Sequence, residues 1–371
     1  MTTTSRLPVP LAIDAGFGVF KFSKRNSQGQ ILFDHFPSAA IETAADAGND
    51  ALSFIDARRD THDVVYGTRT FRVGKEVTHE MVNNDFGRDM TDAYYDSAVY
   101  HACMRGALAY MGEKHITTLC LGLPMNHYMN EARRKKLQAD YTGIIEFKSG
   151  QFVQIDHVEV QPQPFGAYVG IGEKISEINE VLIEFGREPI RSPQDLKAMT
   201  VLVVDPGQYT LDWLVMTSSG PITKVSHAVG DAGRHRVVRD VHKLVQQKMG
   251  RPIGASFFSQ IDQAMRDKKP LRIGGSTFDF QSKEFLTVVE KSIEDPLRQL
   301  FEGLRGVEDR IDLCVVMGGS PDDIANAIRK ERSWLPVYCA KTNNGQGSSI
   351  YGNLIGFQKW AERTDRRLSN G

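Results

Sequence analysis

Cysteine is scarce: the 371 residues include four, Cys103, Cys120, Cys314 and Cys339, none in a C-x-x-C pair. They lie in apolar helix or strand patterns, so reduced core thiols are expected rather than a disulfide framework or a zinc site. No apolar run approaches the roughly 20 residues of a membrane span. The start, Met1-Thr-Thr-Thr-Ser-Arg-Leu-Pro, has no apolar signal core, and a cytoplasmic location is expected. An excess of one charge is missing too. Forty-five basic against 46 acidic residues leave a net charge of -1, so direct nucleic-acid binding is not expected, and without an apolar run of spanning length neither is a membrane partner. The phosphate motifs that open helices are also absent. There is no G-x-x-x-x-G-K-[ST], and Gly16-x-Gly18 is followed by Lys21 where a dinucleotide fingerprint needs its third glycine.

What the chain does have is one short device used twice. Leu11-Ala-Ile-Asp14-Ala-Gly16-Phe17-Gly18-Val-Phe-Lys21 is echoed by Val201-Leu-Val-Val-Asp205-Pro-Gly207-Gln208-Tyr209-Thr210-Leu-Asp212. Each is an apolar strand running into Asp-x-Gly, and the two lie about one large domain apart. Phe20 and Phe22 alternate with polar neighbours, Ser27-Gln-Gly29 turns, and Ile31, Phe33 and His35 alternate again. After Thr210, Leu211, Trp213 and Val215 alternate, Ser218-Ser-Gly220 turns, and Ile222-Thr-Lys-Val225 returns. Both loops therefore read as strand-to-strand hairpins. A glycine-bearing hairpin tip gathers backbone N–H groups into a concave anion site, and missing Cβ atoms allow close approach. Asp14 and Asp205 would repel phosphate; Mg²⁺ between them and the phosphate oxygens, held largely through water, resolves the conflict. The plain alternative is a pair of ordinary turn aspartates.

Composition, with 41% hydrophobic residues and 33 glycines, fits a two-lobed α/β enzyme with two cores. Residues 36–92 read as a small inserted subdomain with strands near Val64-Val-Tyr66 and Phe71-Arg-Val73. A helix from about Asp92 to Met111 precedes strand 116–121 and a turn at Gly122-Leu-Pro124. Arg133-Arg-Lys-Lys136 reads as a solvated helix face. A strand bearing Val153, Ile155, Val158 and Val160 leads to Gln161-Pro-Gln163-Pro-Phe-Gly166-Ala, then a helical stretch near 166–185. Val229-Gly230-Asp231-Ala-Gly233 opens an amphipathic helix; further helices are expected at 256–268 and 282–304, the latter broken at Pro296. Strand 311–317 ends in Gly318-Gly319-Ser320-Pro321-Asp322-Asp323, where Ser320 suits an N-cap and Pro321 the first helical position. Acidic residues in that first turn would repel phosphate, so Gly318 and Gly319 read as a flat surface for an uncharged nucleoside or as a plain strand–helix turn.

In this order the motifs resemble the actin/Hsp70/sugar-kinase superfamily over nearly the whole chain, and within it the plasmid-segregation actins of the ParM/StbA type, including a PRTRC-type branch. Lys341-Thr-Asn-Asn344-Gly-x-Gly followed by Tyr351-Gly352-Asn adds to the likeness. The resemblance implies an actin-like ATPase fold: two duplicated RNase H-like lobes around a nucleotide cleft, each with a smaller inserted subdomain. Lobe I would span 1–165, with helix 346–371 packing back on it, and lobe II 166–345, with an insertion at about 231–306.

The resemblance also implies roles. Asp14, Gly16, Phe17, Gly18 and Lys21 match the first phosphate loop, with Lys21 reaching the β- and γ-phosphates. Asp205, Gly207, Gln208, Tyr209, Thr210 and Asp212 match the second. Gln163 matches the residue that orients the attacking water. Gly230 and Asp231 match a ribose turn, and Gly318, Gly319 and Ser320 an adenosine loop. Asp14 and Asp205 would meet Mg²⁺, and the nucleotide would be ATP or GTP. Lys21, Gln163 and Asp212 also have structural readings, as a solvated lysine, a loop amide and a strand-end acid. One position departs from the family pattern: Gln208 stands where a second glycine usually lets the γ-phosphate approach. Expected partners are further copies of the chain in a head-to-tail filament and a DNA-binding adaptor on centromere-like plasmid DNA. A small-molecule kinase sharing both loops, and a nucleotide-dependent adaptor that never polymerises, are the alternatives.

Overall fold

A computed structural model describes residues 7–43, 60–79, 92–254, 256–319, 321–341 and 349–370. These fall into two compact units, the first reaching Lys174 and resuming with the C-terminal segment, the second spanning 175–341.

In the first unit, β1 (Val9–Ala15), β2 (Val19–Arg25) and β3 (Ile31–Pro37) form an antiparallel meander. Asn26 sets the β2–β3 turn: its Oδ1 accepts from Gln28 and Gln30 N–H, both at 2.9 Å. A side sheet follows, β4 (Ala40–Thr43), β5 (Thr61–Tyr66) and β6 (Arg69–Gly74), ordered β4-β6-β5. The main sheet is completed by β7 (His115–Leu123), β8 (Gly143–Glu146) and β9 (Phe152–Pro162), giving the order β3-β2-β1-β7-β9-β8. β1 and β7 run parallel at the centre, and their near-continuous apolar sequence follows from burial on both faces.

The second unit repeats the plan. β10 (Val201–Pro206), β11 (Leu211–Thr217) and β12 (Gly220–Pro221) lead to β13 (His227–Val229), the hairpin β14 (Leu271–Ile273) and β15 (Ser276–Phe278), then β16 (Leu313–Val316) and β17 (Val337–Cys339). The sheet order β12-β11-β10-β16-β17 matches β3-β2-β1-β7-β9 strand for strand. Helices Arg234–Met249, Ser256–Arg266, Lys283–Gly303 and Pro321–Glu331 share one hydrophobic core with this sheet, so Val237, Val241, Phe285 and Ile328 cluster with Leu202, Trp213 and Val316.

Several sequence expectations are corrected. The segment expected to be one helix from Asp92 is a 3₁₀ turn, Asp92–Asp96, followed by helix Ala98–Met111, because the Ser97 side chain accepts from Tyr100 N–H and starts the helix afresh. The stretch near 166–185 is two helices, Gln163–Gly170 and Ile175–Glu184. The division expected at 165/166 falls inside the first of these, which crosses helix Gly352–Ser369 and so stays in the first unit. Gly122 is not a turn residue but part of β7. The return expected at 222–225 is broken: β12 has two residues, 223–225 form a 3₁₀ turn, and β13 restores pairing with β11. Pro296 lies within a continuous helix, where burial with Ile293, Leu297 and Leu300 offsets the missing N–H. Cys103, Cys120, Cys314 and Cys339 are free thiols, three of them buried. No described helix is long and apolar enough to cross a membrane. Ser320 and most of the Lys341-to-Gly347 motif lie outside the described residues.

Candidate nucleotide site

Both Asp-x-Gly segments form four-residue loops closed by the same hydrogen bond. Ala15 pairs with Phe20 and Pro206 with Leu211. Within the loops Gly16 N–H donates to Val19 O at 3.2 Å, and Gly207 N–H to Thr210 O at 2.9 Å. A Cβ at Gly16 would stand 2.9 Å from Val19 O, and one at Gly207 3.2 Å from Thr210 O. The tightness of the turn is therefore the local reason for both glycines.

In the first loop, Asp14 is fully buried. Lys21 is its partner across the β1–β2 ladder, so the two side chains share a face and Nζ reaches Asp14 Oδ2 at 2.5 Å. Gln163, buried at the start of its helix, donates Nε2 to Asp14 Oδ1 at 2.9 Å. Three expected residues, Asp14, Lys21 and Gln163, thus meet in one cluster. Gly122 is Asp14's other neighbour, on β7; a Cβ there would overlap the Phe357 ring and sit 3.2 Å from Asp14 Oδ1. The row His35, Lys21, Asp14, Gly122, Gln161 crosses five strands. At its edge His35 Nδ1 meets the Tyr351 hydroxyl at 2.7 Å. Phe17 turns inward against Tyr94 and Tyr95, both ring centroids at 5.2 Å. Two residues the sequence did not suggest hold this loop. Ser38 Oγ donates to Gly16 O at 2.5 Å and its N–H to Gly18 O at 3.1 Å, while the Tyr95 hydroxyl donates to Ala15 O at 3.1 Å. Only the pairing of β3 and the burial of Tyr95 bring them here; no sequence signal marks them.

In the second loop, Asp205, Thr210 and Asp212 are all buried. Asp212 faces Asp205 across the β10–β11 ladder, the place that Lys21 holds opposite Asp14. The loop carbonyls turn toward helix Arg234–Met249. Tyr209 O accepts from Ala232 and Gly233 N–H, both at 2.9 Å; Gly207 O accepts from Arg234 N–H at 3.0 Å and Gln208 O from His235 N–H at 2.8 Å. The first turn of that helix, whose N–H groups have no intrahelical partner, is thus capped by the loop backbone. Gly233 permits this approach, since a Cβ there would lie 2.6 Å from Gly207 O and 2.7 Å from Gln208 O.

The remaining expected residues are distributed as follows. Gly318 lies on the Asp205 side chain, and a Cβ at Gly318 would overlap Asp205 Oδ1. Gly319 donates its N–H to Pro206 O at 3.1 Å. Gly230 packs under the Tyr209 ring, with a Cβ position 3.4 Å from Cε1. Asp231, at φ 48°, accepts on both carboxylate oxygens from the Arg239 guanidinium, at 2.8 and 3.0 Å. Asp323 does not present a bare charge at its helix start, because the buried Arg234 guanidinium reaches it at 3.3 Å. Burial pushes the Asp323 carboxyl up, and Arg234 works in the opposite direction.

The chain thus carries a duplicated sheet with matched, glycine-closed hairpin loops at corresponding places. Residues 12–166 match the family model described as actin like proteins N terminal domain. No curated protein matches the chain. The archaeal actin homolog Ta0583, in complex with ADP, superposes with a TM-score of 0.67 at 16% identity, covering 96% of this chain and 99% of that one. A 15-stranded ParM filament from Clostridium botulinum gives 0.61 at 16% identity, covering 96% and 100%. The AlfA filament bound to AMPPNP gives 0.57 at 12%, covering 98% and 99%. Likeness at this identity establishes the actin-like fold over nearly the full length.

Proposed function

We propose that this chain is a cytoplasmic actin-like ATPase, in which the Asp14 and Asp205 loops serve one ATP with Mg²⁺ and subunits assemble head to tail for plasmid segregation. The observation that carries the reading is the duplicated loop with a buried aspartate at each mouth, completed at Asp14 by Lys21 and Gln163. The ADP complex of Ta0583 and the filaments of ParM and AlfA support nucleotide binding and self-assembly as its context.

The donor set suits an ion delivered with the nucleotide. Asp14 and Asp205 are hard oxygen donors, and among the described residues no group of three His, Cys, Asp or Glu could hold a metal by itself. When bound, Mg²⁺ would neutralise charge on the phosphate oxygens, with Asp14 and Asp205 receiving its waters. Lys21 has two further N–H donors beyond its Asp14 contact and can meet phosphate as a point charge. Gln163 spends Nε2 on Asp14, which fixes the amide and leaves Oε1 to accept from an attacking water. Such a contact matters mainly in the transition state.

The test is Gln163→Ala, followed for phosphate release, ATP affinity and light scattering. Turnover should fall about 10- to 1000-fold, as for a contribution of about 1.4–4 kcal/mol. ATP affinity should change little and filaments should persist longer. Asp14→Ala and Asp205→Ala should each abolish Mg²⁺-dependent hydrolysis. Wild-type turnover in either aspartate variant would sink the two-loop mechanism, and unchanged phosphate release would remove Gln163 from it.

A further inference from the structure

Behind the second loop, hydrogen bonds form a closed circuit. Gly319 N–H donates to Pro206 O at 3.1 Å, and Gly319 O accepts from Arg266 Nη1 at 2.7 Å. Arg266 Nε pairs with the Asp262 carboxylate at 3.3 Å, one helical turn back. Asp262 Oδ1 accepts from Arg234 Nε at 2.7 Å, and Arg234 backbone N–H closes the circuit on Gly207 O at 3.0 Å. Arg234 Nη1 adds a branch to Asp323, in the first turn of helix Pro321–Glu331.

A buried guanidinium is a poor way simply to hold helices together, because its desolvation offsets most of the attraction. The Arg234 side chain is 5% exposed and faces two carboxylates. What such a fork does well is fix geometry, since its donors are planar and rigid. Here the parts it fixes are the phosphate loop, Pro206–Gly207, and the turn at Gly319. We infer that Arg234 and Arg266 are positioning residues that set the spacing between the phosphate and nucleoside sides of the second unit's half-site, so that a whole nucleotide is preferred over bare polyphosphate. The inference rests on the nucleotide-binding reading above. Neither arginine is assigned a contact with the ligand.

Arg266 is the residue to change, because its side chain is 32% exposed and its loss leaves Arg234 to neutralise Asp262 and Asp323. Binding of ADP–Mg²⁺ and of inorganic tripolyphosphate–Mg²⁺ is measured by calorimetry, with melting temperature alongside. Arg266→Ala should weaken ADP about tenfold, the worth of one charge-assisted hydrogen bond. It should leave tripolyphosphate affinity within about twofold, on the same scale. Arg266→Lys, which can hold Gly319 O or Asp262 but not both in a fork, should restore part of the ADP affinity. Equal weakening of both ligands, or unchanged ADP affinity, overturns the inference and leaves the nucleotide reading standing. If tripolyphosphate does not bind the wild type, ATP replaces it: equal losses for ADP and ATP support the inference, and a larger loss for ATP overturns it. A wild-type protein that binds no nucleotide overturns both.

Discussion

His101 sits inside helix Ala98–Met111 with its Nδ1 2.8 Å from the Tyr141 hydroxyl and its ring stacked on Tyr66 at 4.5 Å. Burial pushes its pKa down to about 4, with Lys136 adding in the same direction. The unfolded chain, near 6.5, therefore binds a proton that the folded chain refuses between pH 6.5 and 4, and stability must fall on acidification through that window. The loss approaches about 3 kcal/mol for a shift of this size, about 2 kcal/mol of it by pH 5. Urea unfolding at pH 7 and pH 5 should show this difference shrinking in His101→Gln, and an equal pH dependence in both proteins would refute it. At the same scale the two aspartate loops differ. Lys21 opposes Asp14, whereas Asp212 opposes Asp205, so the duplicated frame carries different charge in each copy.

Helix Gln163–Gly170 crosses helix Gly352–Ser369 backbone to backbone. A Cβ at Gly356 would overlap Gly166 O, and one at Gly166 would lie 2.5 Å from Asn353 O and 2.8 Å from the Phe357 ring. The helix Gly352–Ser369 is further fixed by Gln358, which accepts from Ser23 Oγ at 2.6 Å and donates to Pro10 O at 3.0 Å. This crossing holds Gln163 and Gly122 in place, because Phe357 lies against both Gly122 and Gly166. Backbone cannot yield as a side chain can, so Gly356→Ala should cost at least about 2 kcal/mol. Guanidinium unfolding measures it, and wild-type stability would mean the helices do not cross this closely. A Cβ at Gly170 would likewise lie 2.8 Å from Gly352 O, so Gly166 and Gly170 face Gly352 and Gly356; each pair stands at i, i+4 spacing in the sequence, yet only packing reveals that they meet.

For the whole molecule the decisive measurement is assembly. A head-to-tail contact whose rotation does not close gives an open filament. ATP turnover and light scattering should therefore rise only above a threshold protein concentration. A linear dependence on protein, with many-fold stimulation of ADP release by a sugar, glycerol or a short carboxylate, would favour a kinase of the same fold. Much of the plan was legible in sequence. The two Asp-x-Gly hairpins, the strands leading into them and the helix after Gly233 follow from periodicity and glycine placement, which act over a few residues. The return after β11 was not legible because Trp213 Nε1 and Val215 N–H donate to Val225 O and Ser226 Oγ, contacts that strand periodicity does not report, and the unbroken helix at Pro296 was not because tertiary burial overrode local preference.

The sequence alone determined the duplication. Apolar strands ending in Asp-x-Gly recur at Asp14 and Asp205, and a four-residue turn with a glycine at its first position needs no distant partner to form. Only the tertiary structure decided what surrounds each aspartate. Gln163 comes to Asp14 from the end of β9, Gly122 from the neighbouring strand and Phe357 from a helix more than 300 residues along the chain, while Arg234 and Arg266 tie Gly207 to Gly319. Hydrogen bonds and van der Waals contacts act over a few ångströms of space, whereas sequence patterns report neighbours along the chain, so residues that meet only through strand order leave no mark until the sheets are assembled.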